Sequence, residues 1–179
     1  MNKLTALACV FSALALAACG RDEAQPQVQA EVPAGAETMP ADLLLKQEPA
    51  GAVAIADLRD KATAGDEIVF RAFVGGQKKP FIDSRAVMIV VDAGLPNQCT
   101  TEKDHCPTPW DYCCADKKEL MRNMATVQVT GSDGKAIKAD WRSLTGVKEN
   151  AEVIVRGVVG KKDANTFIVN ATGVYVKGG

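Results

Sequence analysis

The sequence lacks the residues and motifs on which the common catalytic arrangements depend. Its only histidine, His105, lies among cysteines, so no Ser/His/Asp arrangement is present. No glycine-rich motif of a phosphate-binding loop occurs either, because Gly75-Gly76 is typical of a turn. We therefore expect a protein without enzymatic activity, and the simplest interpretation needs no cofactor.

The chain also lacks a large excess of charge and a second long apolar segment. It has 21 lysine and arginine residues and 22 aspartate and glutamate residues, a formal net charge of -1 at pH 7. A protein so close to neutral is a poor candidate for electrostatic capture of DNA or RNA. Beyond residue 18, no stretch approaches the roughly eighteen consecutive apolar residues that a membrane-spanning helix needs.

The first eighteen residues have the layout of a secretory signal peptide. Lys3 precedes a run of apolar and small residues that is too short for a permanent membrane span. The run ends in Leu16-Ala17-Ala18-Cys19, which resembles the lipobox of bacterial lipoproteins. The resemblance implies cleavage after Ala18 and attachment of a diacylglycerol, with palmitate, to Cys19. The alternatives are an ordinary secretory signal and an uncleaved anchor.

A lipid on the first mature residue would place the chain outside the cytoplasm with the membrane as one partner. Two or three acyl chains, at about 0.8 kcal/mol per buried methylene, hold a protein on a membrane far better than one chain. Gly20 and Arg21 follow the lipobox, and the aspartate that favours retention at the inner membrane is absent there. We therefore expect anchorage in the outer membrane, facing the periplasm. Cys9 lies within the signal and is discarded with it.

Composition divides the mature chain into a tether, residues 19–48, and a domain, residues 49–179. From residue 20 to 48 the chain is rich in Ala, Gln, Glu and Pro and carries six acidic and two basic residues. Such a segment buries too little apolar surface to offset the entropy of ordering, so we expect it to be disordered. The exception is residues 41–46, where three consecutive leucines can dock on the domain or form one helical turn.

Beyond the tether, β-branched and aromatic residues recur between turn residues, which predicts an all-β domain. One short helix is expected at residues 53–58, and another is expected from Asp140, which caps it, to Leu144. In the fourth strand, Gly157 indicates a bend or bulge. The five predicted strands cover residues 67–74, 85–92, 125–130, 151–159 and 166–177.

Two stretches of the domain carry a family pattern. Residues 56–76, ADLRDKATAGDEIVFRAFVGG, lead from a short helix through a Gly-Asp turn into the first strand. Residues 148–176, KENAEVIVRGVVGKKDANTFIVNATGVYV, form a closing hairpin that begins with a V-x-V-x-G strand. Both resemble bacterial OB-fold domains of the helicase and tRNA-anticodon-binding type. The resemblance implies a small five-stranded Greek-key barrel that binds ligands across strands 2 and 3.

A long cysteine-rich insertion, residues 93–124, departs from that family pattern. It holds the four cysteines that remain after signal removal and acylation, and in an oxidising compartment they predict two disulfides. Adjacent Cα atoms lie about 3.8 Å apart, below the disulfide range of about 4.4–6.8 Å, which argues against a Cys113–Cys114 bridge. Two pairings stay open: Cys99–Cys113 with Cys106–Cys114, or Cys99–Cys114 with Cys106–Cys113.

A metal centre is the alternative for the insertion, and a thiol redox pair is a third interpretation. Four thiolates and an imidazole can supply a tetrahedral set for zinc or a soft site for copper(I). Against this, the spacing lacks the paired two-residue intervals of zinc knuckles, and thiolates outside the cytoplasm oxidise readily. The candidate ligands are Cys99, His105, Cys106, Cys113 and Cys114.

The features together favour a monomeric, non-catalytic binding module of the cell envelope. Trp110 and Tyr112 are expected to present aromatic faces from the insertion. Two lysine pairs fall in the loops between strands 1 and 2 and between strands 4 and 5, which flank an OB-fold binding face. They either keep turns soluble or bind an anionic glycan, a lipopolysaccharide phosphate or nucleic acid, and a protein partner is a further alternative. These lysines are Lys78, Lys79, Lys161 and Lys162.

Overall fold

The fold was obtained as a computed structural model that describes residues 37–97, 99 and 106–178. The signal peptide and the lipobox lie outside these residues, as does His105. The elements whose bounds lie within these residues are two α-helices, five strands and two single turns of 3-10 helix. In chain order they are α1 (Ile55–Lys61), β1 (Glu67–Val74), β2 (Val87–Asp92), a 3-10 turn (Pro109–Asp111), α2 (Lys117–Arg122), β3 (Met124–Gln128), a 3-10 turn (Trp141–Ser143), β4 (Glu152–Lys162) and β5 (Phe167–Val176).

The five strands close into one barrel in the order β1-β2-β3-β5-β4, and β1 pairs with β4 to complete the ring. The β3–β5 pair is parallel and the other four pairs are antiparallel. The predicted five-stranded Greek-key OB-fold barrel is therefore confirmed, as is the position of the cysteine-rich insertion between the second and third strands.

The barrel interior follows from the alternation of side chains along each strand. In β1, Ile68, Phe70 and Val74 are buried, whereas Glu67 and Arg71 face solvent. Phe70 is 0% exposed, and full burial of such a side chain contributes roughly 1.5–3 kcal/mol. One continuous cluster of buried residues takes members from all five strands and from α1. The barrel thus has a core that contains no cysteine.

The bend predicted at Gly157 is confirmed. The β4–β5 register shifts between Arg156 and Gly157. A Cβ atom at this position would lie 2.5 Å from the carbonyl oxygen of Asn170, closer than any side chain tolerates. Glycine is therefore required where β4 bends to close the barrel.

The short helices agree in part with the sequence prediction. Asp140 caps the 3-10 turn before β4, because its Oδ1 accepts a hydrogen bond of 2.9 Å from the backbone N–H of Arg142. Helix α1 begins two residues later than expected and runs to Lys61. Helix α2 was not predicted, although Asp116 caps it by accepting bonds from Lys118 and Glu119.

The end of the predicted tether belongs to the folded unit. The carbonyl oxygen of Leu43 accepts a bond of 2.7 Å from the N–H of Val174, and the N–H of Leu45 donates to the carbonyl oxygen of Val174 at 2.8 Å. Leu43 is only 2% exposed. Of the two alternatives considered for residues 41–46, docking on the domain describes this segment. The domain therefore begins before residue 49. None of the helices in the described part of the chain has the length and apolar character to cross a membrane.

Candidate metal centre

A buried aspartate lies at the point where the chain leaves the barrel and enters the insertion. Asp92, the last residue of β2, is 6% exposed and is the only charged residue among the buried ones described. Its Oδ2 accepts a bond of 2.6 Å from the N–H of Ile55, and its Oδ1 accepts one of 2.7 Å from Gly94. The carboxylate therefore joins the start of α1 to the start of the insertion, a role that the sequence analysis missed.

The turn after β1 is shaped to receive the second half of the insertion. The N–H of Gly76 donates to the carbonyl oxygen of Trp110 at 2.7 Å. A Cβ atom on Gly75 would lie 2.3 Å from that same oxygen, so glycine is required here for the close approach of the two backbones. The indole Nε1 of Trp110 donates to the carbonyl oxygen of Lys78 at 3.2 Å. Trp110 is thus half-buried and tied to the β1–β2 turn.

Tyr112 attaches the insertion to the outside of the barrel. It is 2% exposed and packs with Val91 and Leu95 in a small apolar cluster separate from the barrel core. Its φ of 55° turns the chain in the left-handed region, which reverses the direction of the backbone just before the last two cysteines. Burial raises the pKa of Tyr112, and the nearby charges of Asp92 and Cys99 raise it further. The side chain predicted to form a recognition surface lies inside the protein.

Three cysteines and one aspartate converge where the two halves of the insertion meet. Each of Cys99, Cys106, Asp111 and Cys113 presents one ligand atom, and these four atoms all lie within 4.8 Å of one another. The Sγ atoms of Cys99 and Cys113 are 3.6 Å apart, and those of Cys113 and Cys114 are 3.8 Å apart. Three sulfurs and one carboxylate oxygen at these separations can hold a metal ion.

Neither predicted disulfide pairing is present, which corrects that expectation for the described cysteines. None of Cys99, Cys106, Cys113 and Cys114 is joined to another cysteine by a disulfide bond. A disulfide needs sulfurs about 2.05 Å apart, whereas Cys99 and Cys113 are separated by 3.6 Å. The physical reason is that Cys99, Cys106 and Cys113 converge with Asp111 on a shared centre instead of meeting in pairs.

The side chain of Asn97 holds the backbone around the cluster. The Nδ2 of Asn97 donates to the carbonyl oxygen of Pro109 at 2.7 Å, and its Oδ1 accepts a bond of 3.0 Å from the N–H of Cys99. Asn97 therefore links the first cysteine to the segment that carries the others. Cys99 is 4% exposed, whereas Cys113 and Cys114 lie at the surface.

Asp111 was not among the predicted ligands. Its Oδ1 accepts a bond of 2.9 Å from the N–H of Cys113, and its Oδ2 accepts one of 2.8 Å from the hydroxyl of Thr108. Burial raises the pKa of Asp111, but these two residues and the charge of Lys78 outweigh burial and hold the pKa below its ordinary value. The carboxylate is therefore ionised at neutral pH, in the form that binds metals.

The cysteine thiols differ in acidity because their surroundings differ. Burial raises the pKa of Cys99, but hydrogen bonds from the backbone and thiol of Cys114 and from the thiols of Cys113 and Cys106 lower it below the ordinary value. The pKa of Cys113 is raised, first by the Cys99 thiol and then by the Asp111 carboxylate and the Cys114 thiol. Packing several anionic donors together is costly for these donors unless a cation lies between them.

The four predicted lysines differ in their contacts. Lys78 and Lys79 are exposed on the β1–β2 turn. The Nζ of Lys161 pairs with Asp163 at 3.4 Å, whereas the Nζ of Lys162 donates to the carbonyl oxygen of Ala62 at 2.6 Å. The two members of the second pair therefore point to different partners.

Comparisons with protein-family models, with characterised proteins and with solved structures give no match to this chain. The fold and the side chains define a closed five-stranded barrel with a cysteine and aspartate cluster that could hold a metal ion. Any more specific function has to be argued from the geometry of that cluster.

Proposed function

We propose that this protein is a lipid-anchored OB-fold module of the cell envelope that binds one zinc ion in the insertion between β2 and β3. Cys99, Cys106 and Cys113 supply three thiolates, and Asp111 supplies the fourth ligand. The ion fixes the insertion against the barrel as a non-catalytic recognition element.

The single observation that carries this proposal is the separation of the four ligand atoms. Zinc binds sulfur at about 2.3 Å, so two sulfurs on a tetrahedral zinc ion are about 3.8 Å apart. Cys99 and Cys113 are already 3.6 Å apart, and all four ligand atoms lie within 4.8 Å. Small side-chain rotations are enough to complete the tetrahedron.

The ligand types favour zinc over copper(I). A carboxylate oxygen is a hard donor, which zinc accepts readily, whereas copper(I) prefers thiolate and thioether ligands. Four protein ligands leave no open position for substrate, which is typical of a structural zinc site and not of a catalytic one. The Asp111 bonds from Thr108 and Cys113 also provide the outer support that ligating carboxylates usually have.

Metal and thiol analysis of the full chain in detergent tests the proposal. Purified without chelator, it should carry about one zinc per chain and, once denatured, four reactive thiols from Cys99, Cys106, Cys113 and Cys114. Removal of the metal under air should allow disulfides to form. A chain that carries no metal and has no reactive thiols when prepared in this way contradicts the proposal and supports the disulfide alternative.

The anchor rests on the lipobox and is tested separately. Cys19→Ser removes the thiol that accepts the lipid, so the precursor should be neither acylated nor cleaved after Ala18. Mass spectrometry of the membrane fraction measures both. A Cys19→Ser chain that still carries a lipid and is trimmed at that bond would rule out the lipoprotein assignment.

A further inference from the structure

A second cavity lies away from the cysteine cluster, beside the end of α1. It has a volume of about 510 Å³ and lies between α1, α2 and the turn that joins β4 to β5. Among the described residues, no cysteine lines it. The charged residues around it are Arg59, Asp60, Lys118, Arg122, Lys162 and Asp163.

The cavity wall carries an excess of two positive charges, since four cations face two carboxylates. Both carboxylates already have partners: Asp60 pairs with Arg122, and Asp163 pairs with Lys161 at 3.4 Å. The other three cations, Arg59, Lys118 and Lys162, take part in none of the ion pairs found among the described residues. The positive charge is therefore available to an anion.

Arg59 is held in place by neutral groups. Its Nε and Nη2 donate to the carbonyl oxygen of Met124 at 3.3 and 3.1 Å, and its guanidinium lies 5.6 Å from the centre of the Phe167 ring. Burial lowers the pKa of Arg59; the charge of Asp163 raises it in part, and the charge of Arg122 lowers it again. A partly desolvated cation beside another cation is costly, and a bound anion would relieve that cost.

Lys162 is also fixed, at the end of α1. Its Nζ donates to the carbonyl oxygen of Ala62 at 2.6 Å, just beyond the last turn of α1. A lysine at a helix C-terminus stabilises the exposed carbonyl groups there. The same Nζ also donates to the carbonyl oxygen of Asp60 at 3.4 Å. An ammonium group has three N–H donors, so these two bonds leave one donor for the cavity. Two pre-positioned cations from different elements lower the entropy cost of binding.

A partly apolar cavity of about 470 Å³ adjoins the charged one, and the two share Arg59 and Met121. Met121 is 47% exposed, one of three large hydrophobic side chains exposed in the described part of the chain. The larger apolar residues that line this neighbour are Ile89, Leu120, Met121, Met124 and Phe167. A ligand that spans both cavities would have an anionic end and an apolar body.

We propose that the paired cavities bind a phosphate monoester that carries an apolar group, with the phosphate between Arg59, Lys118 and Lys162. A phosphate monoester carries about -1.5 to -2 charges at pH 7, which matches the excess of two positive charges. Its oxygens accept charge-assisted hydrogen bonds from arginine and lysine. The apolar group lies along Met121. This site shares no residue with the metal centre, so its test does not depend on the zinc proposal.

Titration calorimetry of the mature chain tests the proposal with phenyl phosphate as a soluble probe. Binding should be saturable and weaker at higher ionic strength, and phenol, which lacks the phosphate, should not bind. Lys118→Gln should weaken binding about fivefold. No side-chain hydrogen bond or ion pair holds Lys118 to another described residue, so the barrel should fold normally. Lys135→Gln is the matched control, because it removes an exposed lysine at a different cavity.

A second probe, tested with the same variants, distinguishes a soluble phosphate monoester from a lipid headgroup. Vesicles of phosphatidylcholine containing phosphatidic acid present the same phosphate monoester on a membrane surface. Loss of binding in Lys118→Gln but not in Lys135→Gln supports the site with either probe, and the probe that binds identifies the source. Equal losses in the two variants, or no saturable binding of either probe, would overturn the proposal.

Discussion

The barrel and its insertion are held together by different kinds of interaction. The barrel is held by strand pairing around apolar side chains from every strand, and Phe70, Val74 and Val155 in it are 0% exposed. The described part of the insertion has one small apolar cluster around Tyr112 and is otherwise held by polar contacts, such as those of Asn97 and Asp111. We therefore expect the barrel to fold without a metal, and we expect the insertion to depend on the proposed zinc ion to keep one shape.

The largest effect is expected from a cavity in the barrel. Phe70→Ala removes a fully buried ring and should lower the free energy of unfolding by about 3–5 kcal/mol, as measured by urea denaturation. Ile82→Ala is the control, because Ile82 is 46% exposed and a surface change usually alters stability by no more than about 0.5 kcal/mol. Similar losses in the two variants would mean that the barrel core does not carry the stability.

The next effect separates the insertion from the barrel. Cys99→Ser removes a buried ligand and should lower zinc affinity by more than about 100-fold, since even outer-shell changes cost 10–100-fold. Competition with a chelator measures the affinity, and circular dichroism of the barrel should stay unchanged. Cys114→Ser makes the same chemical change just outside the proposed ligand set and should cost less than about tenfold. A loss of zinc affinity in Cys114→Ser as large as the loss in Cys99→Ser would mean that Cys114 is the fourth ligand in place of Asp111.

A pair of aromatic changes locates the attachment between the two regions. Tyr112→Ala removes a 2% exposed side chain and should cost about 2–3 kcal/mol. Trp110→Ala should cost less than about 1 kcal/mol, because the half-buried Trp110 mainly loses its bond to the carbonyl oxygen of Lys78. Thermal melts of the two variants compare the losses. Equal losses would show that the insertion is fastened by both aromatic residues.

The smallest effect concerns pH. The hydrogen bond from the Arg142 side chain is the main cause that lowers the pKa of Asp140, with help from the Arg142 N–H, and burial opposes it in part. A group whose folded pKa is lowered stabilises the fold above its unfolded pKa of about 3.9, and the contribution is lost as the pH falls through the folded value. Asp140→Asn should therefore cost less than about 1 kcal/mol at pH 7. Urea denaturation measures the free energy of unfolding of both proteins, and the difference between them should shrink below pH 4. A difference that does not change with pH would exclude a stabilising role for the ionised Asp140.

The same titration should separate the two regions, because zinc competes with protons for its thiolates. Acid should release the metal at a pH where the barrel is still folded. Metal release followed by a zinc indicator should therefore precede the loss of the β-sheet signal. Simultaneous loss of both would mean that the barrel depends on the metal.

The barrel was predictable because its signals are local. Alternation along residues 67–74 gives both the strand and the face that is buried, and β1 has those bounds. The chemistry and position of Asp140 predict a helix cap, and those of Gly157 predict a bulge. Helix α2 carried such a signal as well, since Asp116 is followed three residues later by Glu119, the spacing of a capped helix start.

The sites were less predictable because their residues meet only in three dimensions. Asp111 looks like an ordinary loop residue until its carboxylate is placed beside three thiols. Asp92 ends a strand and gives no sign in the sequence that it caps α1. The cations of the second cavity come from three separate parts of the chain, so their spacing along the sequence carries no pattern.

X-ray absorption at the zinc edge of the purified full chain tests the zinc centre most directly. We expect three sulfur neighbours at about 2.3 Å and one oxygen neighbour at about 2.0–2.2 Å, with one sulfur lost in Cys99→Ser. A spectrum with oxygen and nitrogen neighbours alone would place the metal away from the cysteines and contradict the proposed zinc centre.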